Sequence, residues 1–367
     1  MKILVTGANG FIGKNLCFQL EEQGFTDIIK IDRGNSTEEL NEGLQSADFI
    51  YHLAGINRPK NENEFKLGNA DLTSYIISKL EELNRTTPIL LTSSIQAEQS
   101  NPYGVSKALA EDALNSYAEQ SGAKVYIYRL PNVFGKWCRP NYNSVVATFC
   151  HNVVNDLPLT INDPSAKVQL VYIDTVCEHF IHHLSNDEQG GEQSIKPIYP
   201  TTVGDIATAL ESFKASKTSL VTENVGTGFL RALYSTYISY YSPEQFSYVV
   251  PAYTDPRGSF CELLKTKESG QFSFFTAHPG ITRGGHYHHT KNEKFLVIKG
   301  EAKFRFEHIA TGECYELDVT GEDYKVVETV PGWTHDVTNI GESELVVMLW
   351  ANEIFDREKP DTFAKPL

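Results

Sequence analysis

The sequence predicts an α/β domain with a doubly wound parallel sheet, followed by a smaller all-β domain. Short apolar strands alternate with helical patterns through the first half of the chain, as in a parallel sheet covered by helices on both faces. A glycine-rich loop joins the first strand to the first helix. After about residue 243, helical patterns nearly disappear, and close-set strands are separated by Gly, Pro or polar turns.

The elements of the first half follow in regular order. Apolar runs predict the strands, and apolar residues at helical spacing predict the helices, two of which end at a glycine. The strands are expected at residues 2–6, 28–32, 47–55, 88–94 and 124–130, and the helices at residues 13–24, 74–84 and 107–122.

The second half is dominated by strand-like runs, which favour an antiparallel barrel or sandwich. The last clear helical pattern ends at Tyr241, so we place the boundary near Ser242-Pro243, giving domains of residues 1–243 and 244–367. The strand-like runs cover residues 272–277, 294–300, 302–308, 314–320, 324–330 and 344–352.

Length, composition and charge limit the class of protein. The 367 residues exceed one typical domain, and 41% hydrophobic with 22% charged residues is an ordinary globular composition. No apolar run of about 18 residues and no signal peptide is evident, so we expect a cytoplasmic protein without a membrane partner. The net charge of −15 argues against nucleic acid but leaves an anionic small ligand open. The six scattered cysteines fit reduced thiols.

The loop TGANGFIG at residues 6–13 predicts a dinucleotide site. Its glycines permit a tight turn, close approach of a pyrophosphate and close helix–strand packing. The following helix offers N–H donors and a favourable dipole. A glycine-rich string alone is weak evidence, but here it has the required strand–loop–helix context. The expected cofactor contacts in this loop are Gly7, Gly10, Phe11, Ile12 and Gly13.

The end of the second strand bears on the choice of cofactor. Asp32 would accept a hydrogen bond from a ribose hydroxyl. The adjacent Arg33 could instead face a 2′-phosphate, so the pair leaves NADH and NADPH both open. A biosynthetic reduction usually draws on NADPH, which we therefore favour.

Tyr103 and Lys107 form a predicted acid–base pair at the start of a helix. One helical turn places both on the same face. A tyrosine with a pKa of about 10 is a poor acid at neutral pH, but a nearby ammonium and the cofactor's charge lower that pKa. Ser93 and Ser94, at the end of the preceding strand, are placed to bond the substrate oxygen. On its own, a tyrosine four residues before a lysine usually lies on an exposed helix surface. Because this pair follows a glycine-rich dinucleotide loop in the chain, it indicates a catalytic role.

These motifs together resemble the short-chain dehydrogenase/reductase family, in its extended branch acting on nucleotide sugars, which has a Rossmann-type fold. The resemblance covers roughly residues 1–240. It implies that Tyr103 protonates the alkoxide formed by hydride transfer, that Lys107 orients the nicotinamide ribose, and that one of the two serines holds the carbonyl. The stretches in family order are TGANGFIG, HLAG (52–55), Asn69, TSS (92–94), YGVSK (103–107) and RLPNVFG (129–135).

The same resemblance implies further contact residues. Leu53, Ala54, Gly55 and Asn69 would contact the cofactor. Asn132 and the VYID segment (171–174), with Tyr172, match positions near the sugar nucleotide in that branch.

The segment HYHHTKNEKF at residues 286–295 predicts a metal site. Residues two apart in a strand share a face, so the first and second histidines point one way and His289 the other. A carboxylate opens the next strand, and a fourth donor follows in PGWTH (331–335). Three nitrogens and one oxygen suit zinc or another divalent ion. The bland alternative is a polar surface loop. The four expected ligands are His286, His288, Glu293 and His335.

The spacing resembles the cupin family, whose fold is a jelly-roll barrel. G-x5-H-x-H-x4-E-x6-G over residues 280–300 resembles its first motif, and G-x2-H-x3-N over residues 332–339 its second. In the second motif the family usually separates Pro from Gly by one residue, whereas Pro331 and Gly332 are adjacent. A histidine pair in a helical stretch, His182-His183, is interpreted as structural.

Within cupins, DPRGSFCEL (255–263) and TRGGHYH (282–288) resemble the deoxysugar-nucleotide epimerases, which invert carbons beside a 4-keto group. Those enzymes generally work without a metal, whereas this sequence carries four ligand-like residues. The departure suggests that a metal polarises the keto oxygen and stabilises the enediolate. The candidate bases at the carbon are His289, Tyr324, Lys325 and Asp336.

The whole chain resembles bifunctional capsular polysaccharide synthesis enzymes that join a reductase to a cupin. That resemblance implies a UDP-linked 2-acetamido-2,6-dideoxy-4-keto-hexose, inverted at C3 by the cupin and reduced at C4 with NADPH to an N-acetyl-talosamine-type UDP sugar. It also implies a homodimer formed through the cupin. Two alternatives stay open: a cupin that only dimerises or senses a ligand, and an iron oxygenase.

Overall fold

The computed structural model describes residues 1–367 except 60, 187–188, 251, 256–257, 262–263, 267–270 and 354–357. For residues 252–255, 258–261, 265–266 and 271–273 only the backbone is described. The chain divides into two compact units, which we call the parallel-sheet unit and the antiparallel unit. The first comprises Met1–Phe134, Asn141–Ser144 and Val168–Pro200, and the second Gly135–Pro140, Val145–Lys167 and Thr201–Leu367.

The helices and early strands alternate as the sequence predicts. The strands up to residue 202 are β1 (Ile3–Thr6), β2 (Ile28–Ile31), β3 (Phe49–His52), β4 (Ile89–Ser94), β5 (Val125–Leu130), β6 (Asn132–Phe134), β7 (Lys167–Tyr172), β8 (Gly191–Gln193) and β9 (Tyr199–Thr202). The helices are α1 (Phe11–Glu22), α2 (Thr37–Ser46), α3 (Asn63–Phe65), α4 (Leu72–Glu82), α5 (Pro102–Ser121), α6 (Val145–Val154), α7 (Ile173–His182), α8 (Val203–Ser219) and α9 (Gly228–Ile238). A π-helical turn, Lys66–Asp71, joins α3 to α4, and 3₁₀ turns lie at Ile95–Glu98 and Pro243–Gln245.

A six-stranded sheet of order β2-β1-β3-β4-β5-β8 forms the centre of the parallel-sheet unit. Every neighbouring pair in it is parallel, as predicted. Ile50 belongs to the core that α2, α4 and α5 cover. The next residue, Tyr51, points to the opposite face, where its hydroxyl donates to the Phe180 carbonyl oxygen of α7 at 3.0 Å. The prediction of a parallel sheet covered on both faces is therefore confirmed.

Helix starts depart from the sequence prediction where local capping decides. The helix expected at residues 107–122, which the YGVSK motif extends back to Tyr103, begins at Pro102, because the Asn101 side chain accepts from the Gly104 N–H at 2.8 Å. Helix α2 was not predicted, although Ser36 and Glu39 form a capping box at its start.

Two five-stranded antiparallel sheets make up most of the antiparallel unit, which confirms the predicted change of fold. The strands of the first, in spatial order, are β11 (Ser247–Val249), β20 (Lys325–Glu328), β17 (Glu293–Lys299), β22 (Leu345–Ala351) and β15 (Gln271–Ala277). Those of the second are β19 (Cys314–Thr320), β18 (Glu301–His308), β21 (Trp333–Asn339), β16 (Thr282–Tyr287) and β23 (Phe363–Ala364). Short strands complete the unit: β10 (Val221–Thr222), β12 (Ala252–Asp255), β13 (Gly258–Cys261) and β14 (Lys265–Thr266).

The two five-stranded sheets face each other. The rings of Phe295 and Phe304, one from each sheet, have centroids 5.7 Å apart. In the stretch DPRGSFCEL, Asp255 ends β12 and residues 258–261 form β13, which pairs antiparallel with β12. Its Pro256, Arg257, Glu262 and Leu263 lie outside the described residues.

Residues 201–243 belong to the antiparallel unit, so the predicted boundary near residue 243 falls inside it. The side chains of α8 and α9 explain this grouping. Ser235 Oγ donates to the Thr290 carbonyl oxygen at 2.8 Å, and Lys217 Nζ lies 3.5 Å from the buried Glu328 carboxylate. In the described part of the chain, none of the helices is long and apolar enough to cross a membrane.

Candidate active site and metal centre

The glycine loop between β1 and α1 is shaped by close backbone contacts. A Cβ at Gly13 would lie 2.2 Å from the Gly7 carbonyl oxygen, so only glycine fits there. Gly7 has φ of +69°, and its own Cβ would lie 2.8 Å from the Ala54 nitrogen. At Gly10, the helix cap makes no side-chain hydrogen bond, so the first N–H groups of α1 face the loop uncapped. Phe11 and Ile12 are half-buried in that first turn.

Asp32 is tied to this loop. Its Oδ2 accepts from the Asn9 N–H at 2.8 Å, and its Oδ1 accepts from the Arg33 N–H at 2.8 Å. The Arg33 side chain is exposed beside it. Both side chains thus lie where a ribose or its 2′-phosphate would be bound in this fold.

A buried network links HLAG to the neighbouring helices. His52 shares hydrogen bonds with Thr6 Oγ1 at 2.8 Å and Thr73 Oγ1 at 3.0 Å. Burial, helped by the nearby charge of Lys107, lowers the pKa of His52 to about 3. Leu53 and Ala54 follow, half-buried, on the way to Gly55.

Asn69, on the π-helical turn, links the residues that follow HLAG to helix α5 by hydrogen bonds. Its Oδ1 accepts from the Ile56 N–H at 2.9 Å, and its Nδ2 donates to Ser106 Oγ at 2.9 Å. A Cβ at Gly55 would lie 2.9 Å from Asn69 Oδ1 and 3.1 Å from Lys107 Nζ. The structure therefore brings the predicted cofactor contacts Gly55 and Asn69 next to the predicted catalytic lysine.

Tyr103 and Lys107 lie one turn apart at the start of α5, as predicted. The buried Lys107 ammonium donates to the Thr92 carbonyl oxygen at 2.9 Å. Burial lowers its pKa to about 8, with the charge of Glu111 acting in the opposite direction. Burial raises the pKa of Tyr103, and a hydrogen bond with Ser94 opposes the rise. The predicted lowering of the tyrosine pKa by Lys107 is thus not seen in the chain by itself.

The two candidate serines occupy different environments. Ser94 bonds Tyr103 and accepts from the Gln96 N–H at 3.2 Å. Ser93 instead donates a short hydrogen bond to the buried Glu111 carboxylate, which also accepts from Arg129 Nη2 at 2.6 Å. Because neighbouring residues in a strand point to opposite faces of the sheet, the two serines contact different groups. Ser94 therefore joins the tyrosine, and Ser93 belongs to a structural ion pair.

Besides Ser94, the predicted substrate contacts are Asn132 and Tyr172, which differ in exposure. Asn132 is exposed at the start of β6. Tyr172, at the end of β7, is buried, and its ring centroid lies 5.5 Å from that of Phe134. Of these two, Asn132 is the one whose side chain is accessible to a ligand. His183 is buried with its Nε2 2.8 Å from the Tyr128 hydroxyl, which fits the structural interpretation.

The four predicted metal ligands, which we call the four-ligand cluster, come together between the two antiparallel sheets. One donor atom from each of them lies within 4.8 Å of all the others. The Glu293 Oε2 atom is 3.3 Å from His288 Nε2 and 3.5 Å from His335 Nε2. The ring centroids of His286 and His335 are 4.8 Å apart. A missed neighbour, Lys291, holds the other carboxylate oxygen, Oε1, at 2.8 Å.

The electrostatics of the cluster suit a divalent cation. Burial lowers the pKa of His286 to about 3, and the neighbouring His335 and His288 add to the effect. Burial opposes the charged form of Glu293, yet the His288 and His335 rings hold the pKa of its carboxyl well below its usual range. The Nε2 atom of the buried His335 lies 3.5 Å from Glu293 Oε2, which is longer than an ordinary hydrogen bond. Three imidazoles and one carboxylate are a donor set found at many zinc sites.

A cavity of about 320 Å³ opens onto the cluster. Its walls include the apolar Phe275, Phe295, Phe304 and Leu349. Cationic and anionic side chains also line it, namely Arg283, Lys291 and Asp336. A concave site with apolar walls and a few polar groups is typical of small-molecule binding.

Of the four candidate bases, Asp336 lines this cavity, and its carboxylate accepts from Arg305 Nε at 3.0 Å. His289 faces away from the cluster and packs on Phe363, with ring centroids 4.9 Å apart. Tyr324 and Lys325 are not among the residues that line the cavity. Arg283 and Lys291 were missed because nothing in the local sequence shows that they reach the cluster.

Comparison with known proteins adds to this geometry. Residues 3–196, more than half of the chain, match the family described as "NAD dependent epimerase/dehydratase family", and residues 253–363 match the "Polysaccharide biosynthesis C-terminal domain". A Pseudomonas aeruginosa protein, "UDP-2-acetamido-2,6-beta-L-arabino-hexul-4-ose reductase", is 55% identical over 99% of this chain and 98% of its own length.

Two solved structures are similar. The capsular polysaccharide assembling protein CapF from Staphylococcus aureus is 41% identical, covers 100% of both chains and has a TM-score of 0.70. UDP-glucuronic acid 4-epimerase from Bacillus cereus is 23% identical over 59% of this chain and 84% of its own, with a TM-score of 0.51, a likeness of fold alone. The chain belongs to the NAD dependent epimerase/dehydratase family. Membership implies a nicotinamide cofactor, as the glycine loop predicts.

Proposed function

We propose that this member of the epimerase/dehydratase family is a bifunctional nucleotide-sugar enzyme of polysaccharide precursor synthesis. Its substrate would be a UDP-2-acetamido-2,6-dideoxy-4-keto-hexose. The parallel-sheet unit reduces C4 with NADPH, and the antiparallel unit inverts C3, giving an N-acetyl-talosamine-type UDP sugar. The carrying observation is that one chain holds both the Tyr103–Ser94–Lys107 group and a cavity on a four-ligand cluster. The Pseudomonas relative, named as the reductase of such a 4-ulose, supports the substrate class.

In the first site, the chain's own groups position the ketone and deliver a proton. Bound NADPH would supply the hydride to C4. The Ser94 hydroxyl donates a hydrogen bond to the ketone oxygen, and the Tyr103 hydroxyl transfers its proton to the alkoxide. The Lys107 ammonium, fixed by the Thr92 carbonyl oxygen, stabilises the resulting tyrosinate and holds the nicotinamide ribose.

In the second site, the chemistry starts from the acidity of the C3 proton beside the C4 ketone. A divalent ion, zinc in our proposal, would supply positive charge near the keto oxygen, so that the enediolate forms more easily. Arg283 and Lys291 line the cavity and add positive charge for an anionic substrate. A proton removed from one face of C3 and returned to the other inverts the carbon.

The architecture proposed for the antiparallel unit is a cupin-type jelly roll. Two facing antiparallel sheets with the ligands between them support it. We also propose a homodimer formed through this unit. The edge strand β15 carries Phe274 with 69% of its surface exposed, which fits a strand that a second copy covers.

A second candidate is a reductase whose cupin is a non-catalytic dimerisation or sensing module. The name of the Pseudomonas relative favours it, because that name mentions reduction alone.

Deuterium exchange at C3 separates the two. The full-length protein is incubated with a UDP-4-keto sugar in heavy water without NADPH, and mass spectrometry and NMR follow C3. The bifunctional enzyme exchanges the proton, and His288→Ala with chelated metal should lose the exchange. His182→Ala, which alters an exposed histidine bonded to Asn186 at 3.0 Å, is the matched control. Absent exchange in the unmodified protein rejects the epimerase, and oxygen consumption instead would indicate the oxygenase.

A further inference from the structure

The loop that carries His288 is held from its outer side by one aspartate. Asp361 Oδ1 accepts from the His289 N–H at 2.9 Å. Its Oδ2 accepts from the N–H groups of Thr290 and Lys291, each at 2.6 Å, and from Thr290 Oγ1 at 2.8 Å. Consecutive backbone N–H groups that converge on one carboxylate form an anion-binding nest, here filled by the chain itself.

The backbone of the same residue fixes the orientation of His288. The His288 Nδ1–H donates to the Asp361 carbonyl oxygen at 2.5 Å. With Nδ1 protonated, Nε2 is the atom with a free lone pair, and it lies 3.3 Å from Glu293 Oε2 inside the cluster. A histidine ligand whose second nitrogen donates to a carbonyl oxygen is the usual arrangement at metal centres.

Residue 361 is itself held firmly, because the chain after it is built into a sheet. Strand β23 pairs with β16, matching Ala364 with His286 and Phe363 with Tyr287. The Lys365 N–H then donates to the Gly285 carbonyl oxygen at 2.8 Å. The segment 361–365 therefore contacts the loop after His288 through Asp361, and it contacts strand β16 on both sides of His286 through residues 363–365.

Helix α9 holds the opposite side of the loop. Ser235 Oγ donates to the Thr290 carbonyl oxygen at 2.8 Å. Arg231 lies 2.9 Å from the Glu353 carboxylate and 3.8 Å from that of Asp361, which balances the buried negative charge. The loop is thus fixed between α9 and Asp361, with His288 directed inward.

We propose that Asp361 is a positioning residue of the metal centre, locking the loop and the ring orientation of His288 from outside the ligand set. The inference rests on the proposed metal function of the cluster. In Asp361→Asn, an amide NH₂ replaces one acceptor oxygen and confronts N–H donors. The loop then relaxes, the 361 carbonyl oxygen moves, and His288 loses its fixed orientation.

Zinc affinity of the full-length protein tests this. After chelation and dialysis, Zn²⁺ is titrated in competition with a chromophoric chelator, well below the unfolding temperature. Asp361→Asn should weaken Zn²⁺ binding by about 10- to 100-fold, the usual effect of losing an outer partner of a ligand. Cobalt substitution adds a spectroscopic readout, since the Co²⁺ visible spectrum reports the ligand geometry directly.

Asp323→Asn is the matched control. Asp323 also bonds a threonine, accepting from the Thr320 N–H at 2.8 Å and Thr320 Oγ1 at 3.2 Å, but it lies in a turn away from the cluster. It should keep the Zn²⁺ affinity and the Co²⁺ spectrum of the unmodified protein. Thr290→Val, which removes a single donor to Asp361, should weaken binding less and keeps the test valid if Asp361→Asn folds poorly.

The outcomes are distinct. If the unmodified protein does not bind Zn²⁺, the proposed metal function fails. If it binds, and both Asp361→Asn and Thr290→Val bind as tightly with unchanged Co²⁺ spectra, the positioning role of Asp361 is overturned. If Asp323→Asn weakens binding equally, the effect is general destabilisation, and the positioning role is again rejected.

Discussion

In the parallel-sheet unit, the polar side chains of the candidate site bond to one another and to the backbone, whereas in the antiparallel unit three imidazoles and a carboxylate face a common point. His52, Asn69 and Lys107 all have partners within the protein. By contrast, the donor atoms of the four-ligand cluster lie within 4.8 Å of one another. In the first site the polar groups already satisfy one another, while the second site gathers donor atoms of the kind that a cation would bind.

We expect the two sites to work independently, so that the acid of the first site, Tyr103, has no part in the chemistry of the second. Tyr103→Phe should lower NADPH oxidation by about 100- to 10,000-fold, the usual contribution of a positioned proton donor. Deuterium exchange at C3 should be unchanged. Absorbance at 340 nm follows the first activity, and mass spectrometry the second.

Tyr75→Phe is the control for that variant, because its exposed hydroxyl donates to Asn41 Oδ1 at 2.8 Å, far along the chain from Tyr103. It should retain both activities. A Tyr103→Phe protein that oxidises NADPH normally would remove the tyrosine from the mechanism, and one that loses exchange as well would break the proposed separation of the two sites.

The two serines sharpen the description of the first site. Ser94→Ala removes the hydroxyl beside Tyr103 and should lower kcat about 10-fold, as expected for one lost hydrogen bond in the transition state. Ser93→Ala removes a donor to Glu111, so it should cost about 1 kcal/mol of unfolding free energy with kcat nearly unchanged. Steady-state kinetics and urea unfolding measure both. The reverse pattern would assign the substrate contact to Ser93.

The buried histidine of the first site is expected to affect stability and its pH dependence, and not the chemical steps. The pKa of His52 is about 3 in the folded chain, below its ordinary value, so the unfolded chain binds the proton more tightly. Stability from this group is present above about pH 6.5 and is lost as the pH falls towards 3, at no more than about 1.4 kcal/mol per pH unit.

Urea unfolding of the metal-free protein between pH 7 and 5 measures this slope. His52→Gln, which can keep bonds to Thr6 and Thr73, should show a shallower loss than the unmodified protein. The histidines of the cluster also contribute to the total, so the difference between the two proteins is the relevant quantity. Equal slopes would show that His52 is not held neutral by its surroundings.

Much of the fold could be predicted because it depends on local patterns. The apolar strands of the parallel sheet are buried on both faces, and the second half changes to strand-rich sequence. Strand β21 was not predicted, since its polar WTHDVTN run lacks regular alternation. It is nevertheless buried at most positions. Its polar side chains are used inside the protein, since His335 and Asp336 line the cavity and Asp336 also accepts from Arg305 Nε.

The candidate sites show the limit of the same reasoning. The ligand spacing from His286 to Glu293 is local and could be found in the sequence. The contact between Asp361 and the loop after His288 joins residues about seventy positions apart, and no sequence motif predicts it. Likewise, Ser93 and Ser94 are adjacent, and only the packing of α5 shows which of them meets Tyr103.

The spacing of the cluster also bears on the order in which the antiparallel unit folds. Three of its members lie close together in the chain, with His286 near the end of β16, His288 in the following turn and Glu293 at the start of β17, whereas His335 comes from a distant part of the chain. Closing a short segment around a cation has a small entropic cost compared with pairing remote strands. A metal ion captured early would pin this turn first, and β21 would then dock onto a turn that already has its final shape. The local spacing of residues 286–293 would thus determine one step in the order of folding.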